Sequence, residues 1–203
     1  MAKIQIPKIK SLQVYHRDLV RIVAETSWLP HQRTVRAFRT HVFPTARQRK
    51  QHLLFSFIKR GNTKIGMYDD NTTPRWALFW AHGIRATYHP GKWTFAHVWP
   101  GADDITTYTH LANLAMVPEC LMNLTDKEGP LTEFLQWHAW DIYDWKPKSA
   151  KEPRKPEGYD KVRWNYLDYV ANPKDLVSER INGLNNQRIR ILRPVMKRLG
   201  MLA

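Results

Sequence analysis

The sequence predicts an α+β fold in which a short strand–loop–strand–helix unit lies among helices, as a single domain or as two closely packed subdomains. Residues 93–100, WTFAHVWP, alternate in the manner of a strand and end at a proline. Residues 111–118, LANLAMVP, form an apolar run that predicts a second strand. Pro118 can then begin a helix, ECLMNLTDK, which Gly129 ends.

Helices are predicted on both sides of this central unit. Residues 11–25 place apolar side chains at near-helical spacing after a serine that can cap the helix. Near the other end, Asn172 is the predicted cap and Pro173 the first residue of a helix. We expect Gly183 and Pro194 to break or bend that helix.

One segment has the composition of a linker. Residues 146–158, KPKSAKEPRKPEG, combine three prolines with alternating charges, which predicts an exposed loop. The chain is therefore divided into a basic amino-terminal region (1–90), a central unit (91–147), and a linker followed by a basic helical region (148–203).

The net charge is the strongest global feature. The chain has 32 Lys and Arg against 18 Asp and Glu, a formal charge of +14. This balance favours a polyanionic partner, nucleic acid first. A basic run, residues 26–68, contains no Asp or Glu. It fits a solvated basic face or a phosphate-binding surface, and we favour the second because no acids are interspersed.

Six residues of this run are the candidate DNA contacts. Three of them recur every third residue, as on one face of a helix, but TVRAFRTHVF also alternates imperfectly, so helix and strand both remain open here. The six are Arg33, Arg36, Arg39, Arg47, Arg49 and Lys50.

Several other classes of protein are disfavoured. No apolar run approaches the roughly 20 residues that span a bilayer, and the amino terminus lacks the pattern of a secretory signal. We therefore expect a cytoplasmic protein with no membrane partner. Cys120 is the only cysteine, which excludes an intrachain disulfide and a CxxC zinc site.

Three polar residues of the central unit are the candidate reactive groups. His97 lies at the end of the first predicted strand, Asn113 beside the second, and Asn123 inside the predicted helix. Each alone has an ordinary role, as a core histidine, a loop-fixing side chain and an exposed helix residue. An asparagine inside a helix is not explained by propensity, however, and the three together suggest one site.

With these residues the sequence resembles the HNH endonucleases, the ββα-metal nucleases, and within them the zinc-free type. Residues 97–100, HVWP, are similar to the family's histidine, aliphatic residue and proline at the end of the first strand. Asn113 and the following leucine match its Asn-Leu pair, and Asn123 matches a ligand on its helix. The resemblance covers about residues 93–128, less than a fifth of the chain.

The resemblance implies metal-assisted hydrolysis of double-stranded DNA. His97 would take a proton from water, Asn113 would orient the histidine or hold the loop, and Asn123 would bind the ion through its carboxamide oxygen. Oxygen ligands suit Mg²⁺ or Mn²⁺, and no zinc is expected. A two-fold homodimer would place one site on each strand of the duplex.

The chain departs from the family at Ala96, where many members carry an acidic metal ligand. Three explanations are open, in this order. In the first, Asn123 is the main protein ligand and water completes the coordination shell. In the second, Asp126, or the loop with Asp103 and Asp104, supplies the missing negative charge. In the third, the site is degenerate. The last corresponds to a non-catalytic nucleic-acid-binding protein, and an RNA-directed module ranks behind it.

Overall fold

The computed structural model describes residues 16–85, 93–125 and 130–202. Helices and two small sheets form a single α+β domain, which confirms the predicted fold class. The helices are α1 (His16–Thr26), α2 (Gln32–Phe38), α3 (Thr73–Trp80), α4 (Ile105–Tyr108), α5 (Met122–Thr125), α6 (Pro130–Tyr143), α7 (Pro173–Gly183) and α8 (Gln187–Arg198). The strands are β1 (Trp28–Leu29), β2 (Thr45–Arg47), β3 (Phe57–Arg60), β4 (Thr63–Asp69), β5 (Trp93–His97), β6 (Leu114–Pro118) and β7 (Asn165–Tyr166).

A four-stranded sheet, in the order β5-β6-β1-β7, contains the central unit. β5 and β6 are antiparallel, with His97 opposite Leu114, and β6 leads through a 3₁₀ turn into α5. The second strand begins later than predicted because Leu111–Asn113 form a 3₁₀ turn, which His110 caps by accepting a main-chain N–H. The observed order is strand, loop, strand, helix, as the sequence predicts.

A second sheet, in the order β2-β4-β3, lies in the basic amino-terminal region. β2 is parallel to β4, and β3 and β4 form an antiparallel hairpin. Gly66 of β4 lies very close to the main chain of Pro44, the residue just before β2. A Cβ added to Gly66 would lie 2.5 Å from the carbonyl oxygen of Pro44. Only glycine allows the hairpin to pack there without a shift of the backbone.

The segment left open between helix and strand is helical. The Nδ1 of His31 accepts the main-chain N–H of Arg33 and caps the start of α2. The helix ends at Arg39, which adopts a left-handed φ of 54° and donates its N–H to the carbonyl of Val35. Arg33 and Arg36 therefore lie on α2, and Arg39 follows its last turn.

The helix predicted after Asn172 begins at Pro173 and ends at Gly183, as expected. Asn172 occupies the cap position, but its side chain makes no capping hydrogen bond. Its φ of 52° gives it a left-handed backbone rather than the extended backbone usual at an N-cap.

Of the break or bend expected at Pro194, the break does not occur, since α8 continues through this residue. Asn186 caps α8 by accepting the N–H of Ile189. Leu192 and Met196 are both fully buried in the main core, and this packing outweighs the backbone hydrogen bond that proline cannot make.

The main hydrophobic core draws side chains from all three predicted regions of the chain, such as Met67, Leu114 and Ile189. The three regions therefore pack together, and their separate functional roles stay a prediction. Residues 146–158 contain no helix or strand, as expected of the predicted loop. The first predicted helix is present as α1, while residues 11–15 lie outside the described part.

A smaller core joins α1 to α6, where Val20 and Val23 pack with Leu131 and Phe134. In the described ranges no helix has the length and apolar character needed to cross a membrane.

Candidate active site around His97

His97 ends β5 with its ring half-buried against Tyr108. Its Nε2 lies 3.0 Å from the main-chain oxygen of Tyr108, and the two rings stack with centroids 5.4 Å apart. A carbonyl oxygen can only accept a hydrogen bond, so Nε2 carries the proton in this contact. In the neutral imidazole, Nδ1 then carries the lone pair, which is the atom a general base requires.

Asn113 is fully buried and holds the loop between β5 and β6. Its Oδ1 accepts the N–H of Trp99 at 2.7 Å, and its Nδ2 donates to the oxygens of Trp99 at 3.4 Å and Thr107 at 3.1 Å. The main-chain oxygen of Asn113 accepts the N–H of Val98 at 3.0 Å. Of the two roles expected for this residue, these contacts perform the second, holding the loop.

Tyr108 connects this loop to the second sheet. Its hydroxyl lies 3.2 Å from Oδ2 of Asp69 and 3.2 Å from Oδ1 of Asn71. Burial, and then the negative charge of Asp69, raise the pKa of the Tyr108 phenol far above its usual value, while the charge of Arg47 acts in the opposite direction. The phenol therefore remains protonated and donates its hydrogen bond into the second sheet.

Asp69 is a buried carboxylate at the end of β4. It accepts hydrogen bonds from the N–H of Thr73 at 2.8 Å, from the Thr73 hydroxyl at 3.0 Å and from Nε of Arg188 at 2.9 Å. Arg188 also forms an ion pair with Asp70 at 2.6 Å. The carboxylate thus links α8, the start of α3 and, through the tyrosine hydroxyl, the loop beside the candidate base.

The predicted metal ligands fall largely outside the described side chains. Asn123 lies on α5, which directly follows the turn after β6, but its side chain is not described, and Asp126 lies outside the described residues. Within the described ranges, no cluster of three or more His, Cys, Asp and Glu could hold an ion. The described His, Cys, Asp and Glu side chains therefore do not by themselves form a three-residue ligand set.

In the acidic loop, Asp104 has a structural role. Asp104 caps α4 by accepting the N–H of Thr106 at 2.8 Å and the hydroxyls of Thr106 and Thr107. Burial opposes its ionisation, but these hydrogen bonds together hold the pKa of Asp104 below its usual value. Its oxygens are engaged in the fold, and the neighbouring Asp103 is exposed.

The candidate DNA-contacting residues border the loop that follows His97. The main-chain N–H of Arg47 donates to the oxygen of Ala102 in this loop at 2.7 Å. Arg36 and Arg39 line a cleft together with His110 of the same loop. All six predicted contacts are exposed, and no ion pair in the described part of the chain includes any of them.

Sequence reasoning missed three residues that support the site: Tyr108, Asp69 and Arg188. The tyrosine lies 39 residues from Asp69, and the arginine 119 residues from it, so no local spacing connects them. The one available signal is Asp69-Asp70, the first acidic residues after the long basic run.

Comparisons with known proteins give no match: no family model fits the chain, and no curated protein or solved structure is significantly similar to it. The arrangement of the side chains themselves is therefore the basis for a function.

Proposed function

We propose that the protein is a metal-dependent endonuclease that hydrolyses DNA phosphodiester bonds with His97 as general base. One observation carries the proposal: Nε2 of His97 is bound to a main-chain carbonyl at 3.0 Å, which directs the lone pair to Nδ1. The ring is also stacked on Tyr108, so its orientation is fixed before substrate arrives.

In the proposed reaction, Nδ1 of His97 takes a proton from water as the water oxygen attacks phosphorus. The bond from phosphorus to the leaving oxygen breaks, and that oxygen gains a proton from solvent. A positioned general base typically contributes about 10²- to 10⁴-fold to such a step. The hydrogen bond to the Tyr108 carbonyl becomes stronger as the imidazolium forms, which stabilises the charge that develops.

The loop contributes by holding that carbonyl in place. Asn113 fixes the loop at Trp99 and Thr107, the residue just before Tyr108. Asn113 also continues directly into β6, which pairs with β5, so one residue helps to place both the strand that carries the histidine and the loop that carries its hydrogen-bond acceptor. Asn113 is thus a positioning residue in this proposal.

Asn123 would hold the divalent ion, Mg²⁺ or Mn²⁺, with Asp126 as the nearest carboxylate along the helix predicted there. The chemistry that such an ion supplies when bound is stabilisation of charge on the scissile phosphate and the leaving oxygen.

Double-stranded DNA is the proposed substrate because two groups of exposed basic residues border the loop after His97. One group comprises Arg36 and Arg39 beside His110, and the other begins with Arg47 beside Ala102. Phosphate contacts of this kind position a duplex without reading its sequence. A homodimer would allow the two strands to be cut by two copies of the site.

Ala96 favours a second candidate function, a nucleic-acid-binding protein with a degenerate site. This residue is buried and lies opposite Ala115 in the sheet, so no oxygen ligand is available at its position. Such a protein would keep the basic surface but would not cleave.

Incubation of supercoiled plasmid with the protein in EDTA, Mg²⁺ or Mn²⁺ separates the two functions. The nuclease produces nicked or linear DNA in Mg²⁺ or Mn²⁺ and none in EDTA. A protein that shifts the plasmid on a gel in all three buffers, and never cuts it, is the binding protein instead.

A further inference from the structure

The β3–β4 hairpin ends in an exposed basic tip. Residues 59–64, which we call the ribbon tip, are all exposed and include Lys59, Arg60 and Lys64. Gly61 makes the turn with a left-handed φ of 57°, and a Cβ placed there would meet nothing within 4 Å. The tip therefore projects from the domain.

Two lysines of the ribbon tip repel each other. Lys59 lies directly opposite Lys64 in the antiparallel ladder, and like charges in this position destabilise a hairpin. The ammonium of Lys64 lies 4.0 Å from the centroid of the Phe57 ring, which holds it on this face of the hairpin. No ion pair among the described residues includes Lys59, Arg60 or Lys64. A bound anion would relieve this repulsion.

The base of the hairpin is fixed to the candidate active site. The N–H of Met67 donates to the oxygen of Pro44 at 3.0 Å, and a Cβ on Gly66 would lie 3.1 Å from Cδ1 of Ile105. Ile105 begins α4, the helix that ends at Tyr108. The base of the hairpin therefore packs on the helix whose last residue supplies the carbonyl that binds His97.

We propose that the ribbon tip enters the major groove of duplex DNA and thereby sets where the backbone meets His97. The major groove admits a two-stranded ribbon, and its depth of about 8.5 Å matches the exposed part of the hairpin, about 10 Å at roughly 3.3 Å per residue. Lys59 and Lys64 contact the flanking phosphates, while Arg60 and Asn62 reach the base edges. The inference rests on the proposed function for its partner, double-stranded DNA.

Two duplexes of equal sequence test the proposal in EDTA, where no cleavage takes place. One contains cytosine, and the other contains glucosylated 5-hydroxymethylcytosine, whose sugars fill the major groove and leave the phosphates unchanged. Fluorescence anisotropy gives the Kd of the parent and of the variant Lys59→Ala/Arg60→Ala/Lys64→Ala. A second variant, Lys59→Ala/Arg60→Ala, retains the contact of Lys64 with Phe57 in case that contact supports the hairpin.

The matched control removes the same charge elsewhere, by Lys148→Ala/Lys151→Ala/Arg154→Ala on the exposed loop. We expect the parent and this control to bind the glucosylated duplex about tenfold more weakly, the cost of roughly one lost base contact. Both ribbon-tip variants lose Arg60 but keep Asn62, so they should discriminate between the two duplexes less than the parent and the control do.

Equal binding of the two duplexes by the parent, or full discrimination by the ribbon-tip variants, would overturn the proposal. So would a parent that binds no duplex DNA, an outcome that overturns the proposed function as well. A parent that discriminates but never cleaves in Mg²⁺ or Mn²⁺ supports the ribbon tip and contradicts only the nuclease.

Discussion

Asn113 binds both main-chain polar groups of Trp99, a residue 14 positions earlier in the chain. The pair closes the loop between β5 and β6 at its two ends. Because His97 lies two residues before Trp99, this closure determines how the chain leaves the strand that carries the candidate base.

We predict that Asn113→Ala destabilises the protein by about 2–4 kcal/mol, since it leaves the buried N–H of Trp99 without a partner and removes the hydrogen bonds that Nδ2 donates to the oxygens of Trp99 and Thr107. Urea unfolding measures the loss. The control Asn182→Ala, at an exposed position of α7, should cost less than about 0.5 kcal/mol. An Asn113→Ala protein as stable as the control would show that the loop does not depend on this side chain.

Substitution of Arg36, Arg39, Arg47 and Arg49 by Ala should weaken binding to all DNA sequences alike. Each lost phosphate contact reduces the steepness of the plot of log K against log salt by about 0.9. The loss of four contacts should therefore reduce the magnitude of the slope by about 3.6. Titrations at several salt concentrations measure this slope.

The control for this experiment carries the same loss of four charges on the loop of residues 146–158, at Lys148, Lys151, Arg154 and Lys155. Its salt slope should be close to that of the parent. If both variants change the slope equally, net charge rather than the predicted surface governs binding.

Stability should fall as the pH is lowered below about 6.5, the ordinary histidine value. Burial lowers the pKa of His138 to about 3 and that of His82 and His110 to about 4. Between these values and 6.5 the unfolded chain binds protons that the folded chain excludes. Each of these histidines thus lowers the free energy of unfolding by about 1.4 kcal/mol for every pH unit that the pH falls through this window.

The variant His138→Phe removes one of these histidines, so a comparison with the parent measures its contribution to the pH dependence. Its loss of unfolding free energy between pH 6.5 and pH 5 should be smaller than the parent's by about 2 kcal/mol, whatever its absolute stability. The exposed His52, changed to Phe, should leave this difference unchanged. An identical pH dependence in His138→Phe and the parent would mean that His138 is protonated in the fold.

Metal dependence distinguishes the candidate ligands. A carboxamide has no formal charge, so an ion held by Asn123 should bind weakly and more tightly when DNA phosphate is present. Cleavage is titrated with Mn²⁺ for the parent, Asn123→Ala and Asp126→Asn. If only Asn123→Ala loses cleavage activity, Asn123 is the principal ligand. If both variants lose it, Asn123 and Asp126 bind the ion together. Full activity in both variants contradicts the proposed metal site.

Local patterns predicted the elements near the candidate site well. Alternation located β5, the apolar run located β6, and the position of Pro173 located the start of α7, because each depends on neighbours in sequence. At Pro194, where a break or a bend was expected, the helix does not break because buried side chains of α8 hold it together across this residue.

The support around His97 could not be predicted in the same way. The contacts of Tyr108 with Asp69, and of Asp69 with Arg188, join residues on different sheets and helices. Even the role of Asn113 depended on which main-chain groups the fold brings to it. Such contacts follow from tertiary packing, which one sequence does not reveal through spacing.

Single-turnover cleavage of a DNA duplex by His97→Ala, with duplex binding measured in EDTA on the same preparation, tests whether His97 is the general base. We predict that His97→Ala cleaves about 10²- to 10⁴-fold more slowly and binds within a few-fold of the parent, and that the exposed control His52→Ala loses neither activity. A His97→Ala protein that cuts as fast as the parent would show that His97 is a structural residue and not the base.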